Sequence, residues 1–331
     1  MFSSKPLGRF AATAICAALA ITAVPASSAL AVSAPTPSPS STTTPMPSAS
    51  PTAVDTASPT PTPTPTPIIK PGKVQDLTVL DNQIGSLTLG WNPPAILGSD
   101  PIIDYKVQYK FDQYSSWVLW KHAPSTDTIM EIPDLPLGNG YSFSVRPVTA
   151  TSVGMAVTVH AVTPTPTTPI GLAPQVQKQY DFVAANWNSK SSPRFGYLFG
   201  TDCANWASQS LLQRGLKQSG KWRGRASRTI PATRAWISST AMHDYFLASK
   251  RATLLTDAQR DQVAIGDIVQ FDWWNKGAEE HTGIVTHIDN TPTGIKIYYA
   301  SHTAAGMWWS VDRSIQTVYP GATATYLHIL G

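Results

Sequence analysis

The sequence is poor in cysteine, in charge and in long apolar runs, and each shortage narrows what it can be. Of 331 residues only Cys16 and Cys203 are cysteine. Cys16 lies in the one long apolar stretch, residues 10–24, which follows Lys5 and Arg9 and precedes the small residues Ala29-Leu30-Ala31. A basic start, an apolar centre and a small-residue end read as a secretory signal over residues 1–31, so Cys16 is expected to leave with it. No second apolar run is long enough to cross a bilayer, and no stable membrane span is expected after signal removal. The mature chain then holds a single cysteine, which excludes an internal disulfide. A lone thiol in an oxidising compartment is open to oxidation, so Cys203 invites a functional reading.

Charge is scarce and unevenly placed. Charged residues are 13% of the chain, about half the usual share, because an uncharged Pro/Thr/Ser tract fills the region near the start. Residues 70–163 carry six Lys/Arg against eight Asp/Glu, whereas residues 174–331 carry sixteen against eleven. The basic excess therefore belongs to the last domain. Residues 214–234 hold seven cations (Arg214, Lys217, Lys221, Arg223, Arg225, Arg228, Arg234) and no acidic residue, a pattern suited to an anionic polymer. In an exported protein that polymer is expected to belong to the wall, and nucleic acid is not expected. The histidines and acids show no compact His-x-x-x-His or similar spacing, so neither a metal nor another cofactor is expected.

Residues 32–70 form the Pro/Thr/Ser tract, with Pro and Thr alternating from 59 to 67. It has too few apolar groups to offset ordering and too many prolines for a ladder, and reads as a stiff, disordered linker. Residues 71–162 are patterned for β-structure. Leu77-Thr78-Val79, Ser86-Leu87-Thr88-Leu89-Gly90-Trp91, Tyr105-Lys106-Val107-Gln108-Tyr109 and Tyr141-Ser142-Phe143-Ser144-Val145 alternate and are separated by turns such as Asn92-Pro93-Pro94. With Pro71-Gly72 at the start, Trp91, Tyr105, and Leu135 six residues before Tyr141, this segment resembles a fibronectin type III module, which implies an all-β sandwich. A second Pro/Thr linker covers 163–173. The last domain, 174–331, begins with helical patterning over 177–187, placing Tyr180, Val183, Ala184 and Trp187 on one face, and again over 203–212. Strands are expected over 267–273, 281–288, 294–301 and 326–330. Helices first and antiparallel strands later make an α+β domain.

Gly200-Thr201-Asp202-Cys203-Ala204-Asn205-Trp206-Ala207-Ser208-Gln209 places the thiol in the first turn of a helix. Free N–H groups and the helix dipole there favour thiolate, and the same donors suit an oxyanion. His281, at the mouth of a strand, is the candidate base. Alternation puts Gly283, Val285 and His287 on the face of His281. A hairpin through 290–294 would return the next strand beside it and nominates His302 as the group that orients the imidazole, with Ser301 on the other face. Asp272 and Asn275 are the open substitutes. The pairs Trp273-Trp274 and Trp308-Trp309 would each place one ring on either face of a strand, and Trp273 is the candidate for lining a groove.

The Asp-Cys-Ala-Asn-Trp-Ala-Ser-Gln run, the Gly-Asp-Ile-Val-Gln-Phe-Asp strand, the His-Thr-Gly-Ile-Val-Thr strand and Ser-His-Thr at 301–303 together resemble the amidase domain of bacterial secreted proteins, within the NlpC/P60 and CHAP papain-like peptidoglycan hydrolases. The resemblance spans about 177–330 and implies helices packed on an antiparallel sheet. It also implies a nucleophilic Cys203, a base His281 and a third residue, His302. Asp202, Asn205 and Gln209 match the motif as supporting or substrate-edge groups. The implied protein is a monomeric, secreted or wall-associated cysteine hydrolase of amide bonds in peptidoglycan. The competing readings are an inactive wall-binding or adhesive protein, and an acyltransferase using the same pair.

Overall fold

A computed structural model describes residues 67–189, 195–198 and 200–331. The signal expected over 1–31 and the tract over 32–66 lie outside the described residues.

Alternating residues build seven strands: β1 (Gln75–Gln83), β2 (Ser86–Asn92), β3 (Ile102–Phe111), β4 (Val118–Leu119), β5 (Ile129–Pro133), β6 (Gly140–Thr149) and β7 (Val157–Val162). They form two antiparallel sheets, ordered β1-β2-β5 and β4-β3-β6-β7. The inward residues of β2 (Leu87, Leu89), β3 (Tyr105, Val107) and β6 (Tyr141, Phe143, Val145) fill one core, as a two-sheet sandwich requires. Trp91 meets Tyr105 edge-on with ring centroids 5.2 Å apart. The Tyr141 hydroxyl donates to the carbonyl of Pro136 at 3.0 Å, pinning the chain where it turns between sheets. Tyr141→Phe should keep the ring packing and lose that buried bond, costing about 1 kcal/mol. A lower urea midpoint with an unchanged slope would show it.

The second domain opens with α1 (Pro174–Asn186), α2 (Cys203–Gln213), α3 (Arg234–Ile237) and α4 (Ser239–Ala248). The strands β8 (Ala252–Thr256), β9 (Ile268–Asp272), β10 (His281–Thr291), β11 (Gly294–Ser301), β12 (Gly306–Ser310) and β13 (Thr323–Ile329) follow. Their antiparallel sheet runs β12-β11-β10-β9-β13-β8. Ile268, Ile284 and Leu327 on one face meet the helices with Trp222, Trp236 and Phe246. Val269, Phe271, Val285, Tyr299 and Tyr326 form a separate core on the other face. With both faces covered, β9 is buried at every position and cannot alternate. This is the expected sandwich followed by an α+β domain of helices on an antiparallel sheet.

Two expectations about faces are corrected. In α1 the buried residues are Gln179, Tyr180 and Val183, while Ala184 is exposed. Gln179 is tolerated inside because its amide donates to Gly266 O at 2.9 Å. In β10 a bulge between the Val285–Tyr299 and His287–Tyr298 pairs reverses the alternation, so His287 leaves the face of His281.

The two domains are docked. Arg313, in the short helix α5 (Val311–Arg313), is 3% exposed and lies 4.8 Å from the Tyr109 ring centroid and 5.5 Å from that of Trp120. It also donates to the Tyr109 hydroxyl. Lys296 bridges Asp134 of the sandwich and Asp312, each at 3.1 Å. Leu137 N–H donates to Trp308 O at 3.1 Å, and Phe111 packs on Trp309.

Candidate active site

The site forms where α2 begins against the ends of β10 and β11. Cys203 is the first residue of α2 and is 7% exposed. Its backbone N–H donates to Thr303 Oγ1 at 3.1 Å, so one of the helix's free donors already has a partner. The sulfur lies 3.7 Å from Ser239 Oγ, and His281 and the Thr282 backbone stand near enough to act on the thiol. Burial is the largest influence on this thiol and pushes it up. The bond to His281 and the imidazole's charge, helped by Ser239 and Thr282, outweigh burial and bring the thiol down to about 7. A group with that pKa is roughly half thiolate at neutral pH.

His281 is 9% exposed, with Trp273, Phe271 and Tyr299 around its ring. Tyr299 comes close because Gly283 lacks a side chain: a Cβ there would stand 2.3 Å from the Tyr299 ring. His281 Nε2 is 2.8 Å from Ser301 Oγ, leaving Nδ1 as the nitrogen available to the sulfur. When the imidazole carries both protons, Nε2–H donates to Ser301, which fixes the ring plane.

The structure gives Ser301 the position expected for His302. Ile284 pairs with Ala300, so Ser301 follows Gly283 onto the face of His281, and His302 falls on the helix face. There His302 Nδ1 is 2.5 Å from the Asp202 carboxylate, its ring stacks on Trp206 at 5.2 Å, and Nε2 meets the carbonyl of Ser189. Asp202 is 2% exposed and also accepts from Leu198 N–H at 2.7 Å and Asn205 Nδ2 at 2.8 Å. Asn205 in turn donates to Gly196 O and accepts from Trp236 Nε1. Asp202, Asn205 and His302 therefore clamp residues 196–198 to the start of α2. Gln209 is buried further along that helix.

Asp272 does not reach the imidazole as an orienting group. Its carboxylate accepts from the backbone N–H groups of Lys276 and Gly277 at 2.9 and 2.6 Å, closing the turn before β10, and Asn275 sits in that turn at φ +51°. Trp273 stacks between Phe271 and Tyr319, with centroids 4.4 Å from each, and walls the site, while Trp274 is 53% exposed. Of the basic run, Lys217, Lys221, Arg225, Arg228 and Arg234 are exposed, whereas Arg214 is tied to the carbonyls of Ile329 and Gly331. Sequence reasoning missed Ser239 and assigned Ser301 to the face away from His281. A polar residue one place from the expected one was the available signal for Ser301, and Ser239 had none.

A helix-start cysteine facing a strand histidine, on helices packed against an antiparallel sheet, defines a papain-like arrangement behind a fibronectin-type sandwich. Comparison with known families agrees. Residues 72–163 match the "Fibronectin type III domain" model and residues 175–327 the model described as "Putative amidase domain". The chain thus carries a fibronectin type III domain and an NlpC/P60-type amidase domain.

Among curated proteins, human Myomesin-2 is 31% identical over 85 residues, covering 26% of this chain and 6% of its own length. Human Myosin-binding protein H is 36% identical over 80 residues, covering 24% of this chain and 16% of its own. The chain thus spans a small fraction of these relatives. Among solved structures, a human fourth FNIII domain covers 33% of this chain and 92% of its own, at 19% identity and TM-score 0.29. Domains d3-d4 of the rat CD45 extracellular region cover 30% of this chain and 52% of their own, at 19% identity and TM-score 0.26. Among the described residues no helix is long and apolar enough to cross a membrane, and no group of three His, Cys, Asp or Glu is placed to hold a metal ion.

Proposed function

We propose that the protein is an exported cysteine-dependent hydrolase of amide bonds in cell-wall peptidoglycan. The observation that carries this reading is Cys203 buried at a helix start with His281 beside it, where the influence of the imidazole brings the thiol down to about 7. The thiolate attacks the amide carbonyl, and the imidazolium gives its proton to the departing amine, leaving a thioester. Water then attacks the thioester while His281 takes its proton, and the acid leaves as the thiolate reforms. Five exposed cations between 217 and 234 suit the anionic polymers of a wall. The basic-apolar-small start over residues 1–31 supports export.

One observation favours a second reading, in which the domain binds wall polymer without cutting it. Cys203 is nearly enclosed, and Thr303 holds its backbone N–H, a donor that an oxyanion would need. Purified peptidoglycan incubated with residues 32–331 separates the two, with iodoacetamide-treated protein as the control. Soluble fragments seen by mass spectrometry only with untreated protein establish hydrolysis, and their masses name the bond. Sedimentation with the wall and no fragments from several wall types would establish binding alone. A product extended by an added amine would instead show acyl transfer through the same thioester.

A further inference from the structure

A buried hydrogen-bonded chain that does not include His281 ends on the sulfur. Gln270 of β9 stands opposite Thr282 of β10 in the sheet register. Gln270, Thr282 and Ser239 are 1%, 0% and 5% exposed. Gln270 Nε2 lies 2.8 Å from the Ser239 carbonyl, which can only accept, so the amide nitrogen must face it. The same nitrogen donates to Thr282 Oγ1 at 3.4 Å, and Gln270 Oε1 accepts from His243 Nδ1 at 3.0 Å. With its oxygen occupied as an acceptor, Thr282 sends its hydroxyl proton to Ser239 Oγ at 2.8 Å. Ser239 then has its own proton left over, and its remaining partner is the Cys203 sulfur at 3.7 Å.

We propose that Ser239 is a further catalytic residue, a hydroxyl locked by Gln270 and Thr282 into donating to the Cys203 thiolate. The inference deepens the proposed hydrolase site and rests on that reading for its place in a reaction. The donor bond stabilises the charged sulfur before attack and is released as the sulfur becomes the neutral thioester. Desolvation would otherwise penalise a thiolate this buried. The charged and titratable groups around the thiol are His281 from β10, Asp202 before α2, its partner His302 after β11, and, at the far end of the chain, His243 of α4 with Glu279 at 3.2 Å. Of the side chains in this hydrogen-bonded chain, Ser239 reaches the sulfur, at 3.7 Å.

The test needs no substrate. The rate of iodoacetamide alkylation of Cys203, followed from pH 5 to 10 on residues 32–331, reports the thiolate directly. Ser239→Ala should raise the midpoint by about one pH unit, lowering the rate at pH 6 by about tenfold and leaving the high-pH plateau unchanged. Thr282→Val should give a smaller rise, because it unlocks the hydroxyl without removing it. The double variant should match Ser239→Ala, since both act through one chain. An unchanged midpoint in a Ser239→Ala protein with wild-type circular dichroism overturns the proposal. If Ser239→Ala fails to fold, an unchanged midpoint in Thr282→Val does so. Absence of peptidoglycan fragments would sink the hydrolase reading and leave this titration intact, so the two failures are distinguishable.

Discussion

Cys203→Ala is expected to abolish fragment release from peptidoglycan, by about 10⁴-fold or more, while the protein stays folded. The size follows from chemistry: without the sulfur there is no thioester, and the remaining groups can only bind and polarise the amide. The fold should survive because the substitution removes one atom from a side chain of modest size. The neighbours that position α2 are bonded to other groups: Asp202 to Asn205 and His302, and the Cys203 N–H to Thr303. A cost of about 1 kcal/mol is expected from the small void. Calorimetry on the variant, beside fragment counts, checks both halves. Wild-type rates of release from Cys203→Ala would end the thiol mechanism, whatever the fold.

His281→Ala should lower turnover by about 10³-fold, the usual worth of a positioned general acid-base. It also makes a sign-specific prediction about pH. Burial raises the Cys203 thiol, and the bond to His281 with the imidazole's charge is the chief influence bringing it down to about 7. Removing the imidazole leaves burial opposed only by Ser239 and Thr282, so the alkylation midpoint must move up and the rate at pH 7 must fall. Ser301→Ala should cost less, on the order of ten- to a hundredfold in turnover, because it removes one orienting bond of about 1–3 kcal/mol. His302→Ala should behave differently from both. It leaves the buried Asp202 carboxylate without its contact to His302 Nδ1, so the expected loss is stability, about 2–3 kcal/mol, with little movement of the thiol midpoint. A large midpoint shift in His302→Ala and none in Ser301→Ala would restore His302 as the orienting group.

The sandwich was legible because its strands alternate in sequence. Each of Leu87, Leu89, Tyr105, Val107, Tyr141 and Phe143 points inward by the period-two rule, and both sheets have one solvated face. The sheet of the second domain was less so. β9 falls within the strand expected over 267–273 although it is buried throughout, whereas β8 and β12, each five residues long, were not expected. Trp222 and Trp236 are fully buried, whereas Trp274 is 53% exposed. Spacing shows that aromatic residues are dense and does not show which of them the core absorbs.

The sequence alone determined the order of the domains' fold classes, and that Cys203 stands at a helix start and His281 at a strand start. Those follow from local patterns: period, turn residues, and the fixed chemistry of a thiol and an imidazole. Only the tertiary structure decided which groups surround that pair. The Ile284–Ala300 register places Ser301 rather than His302 beside His281, and the packing of α4 against β9 and β10 brings Ser239 to the sulfur. Register and helix docking are set by the fit of whole faces, so a shift of one residue exchanges every neighbour while leaving the sequence pattern nearly the same.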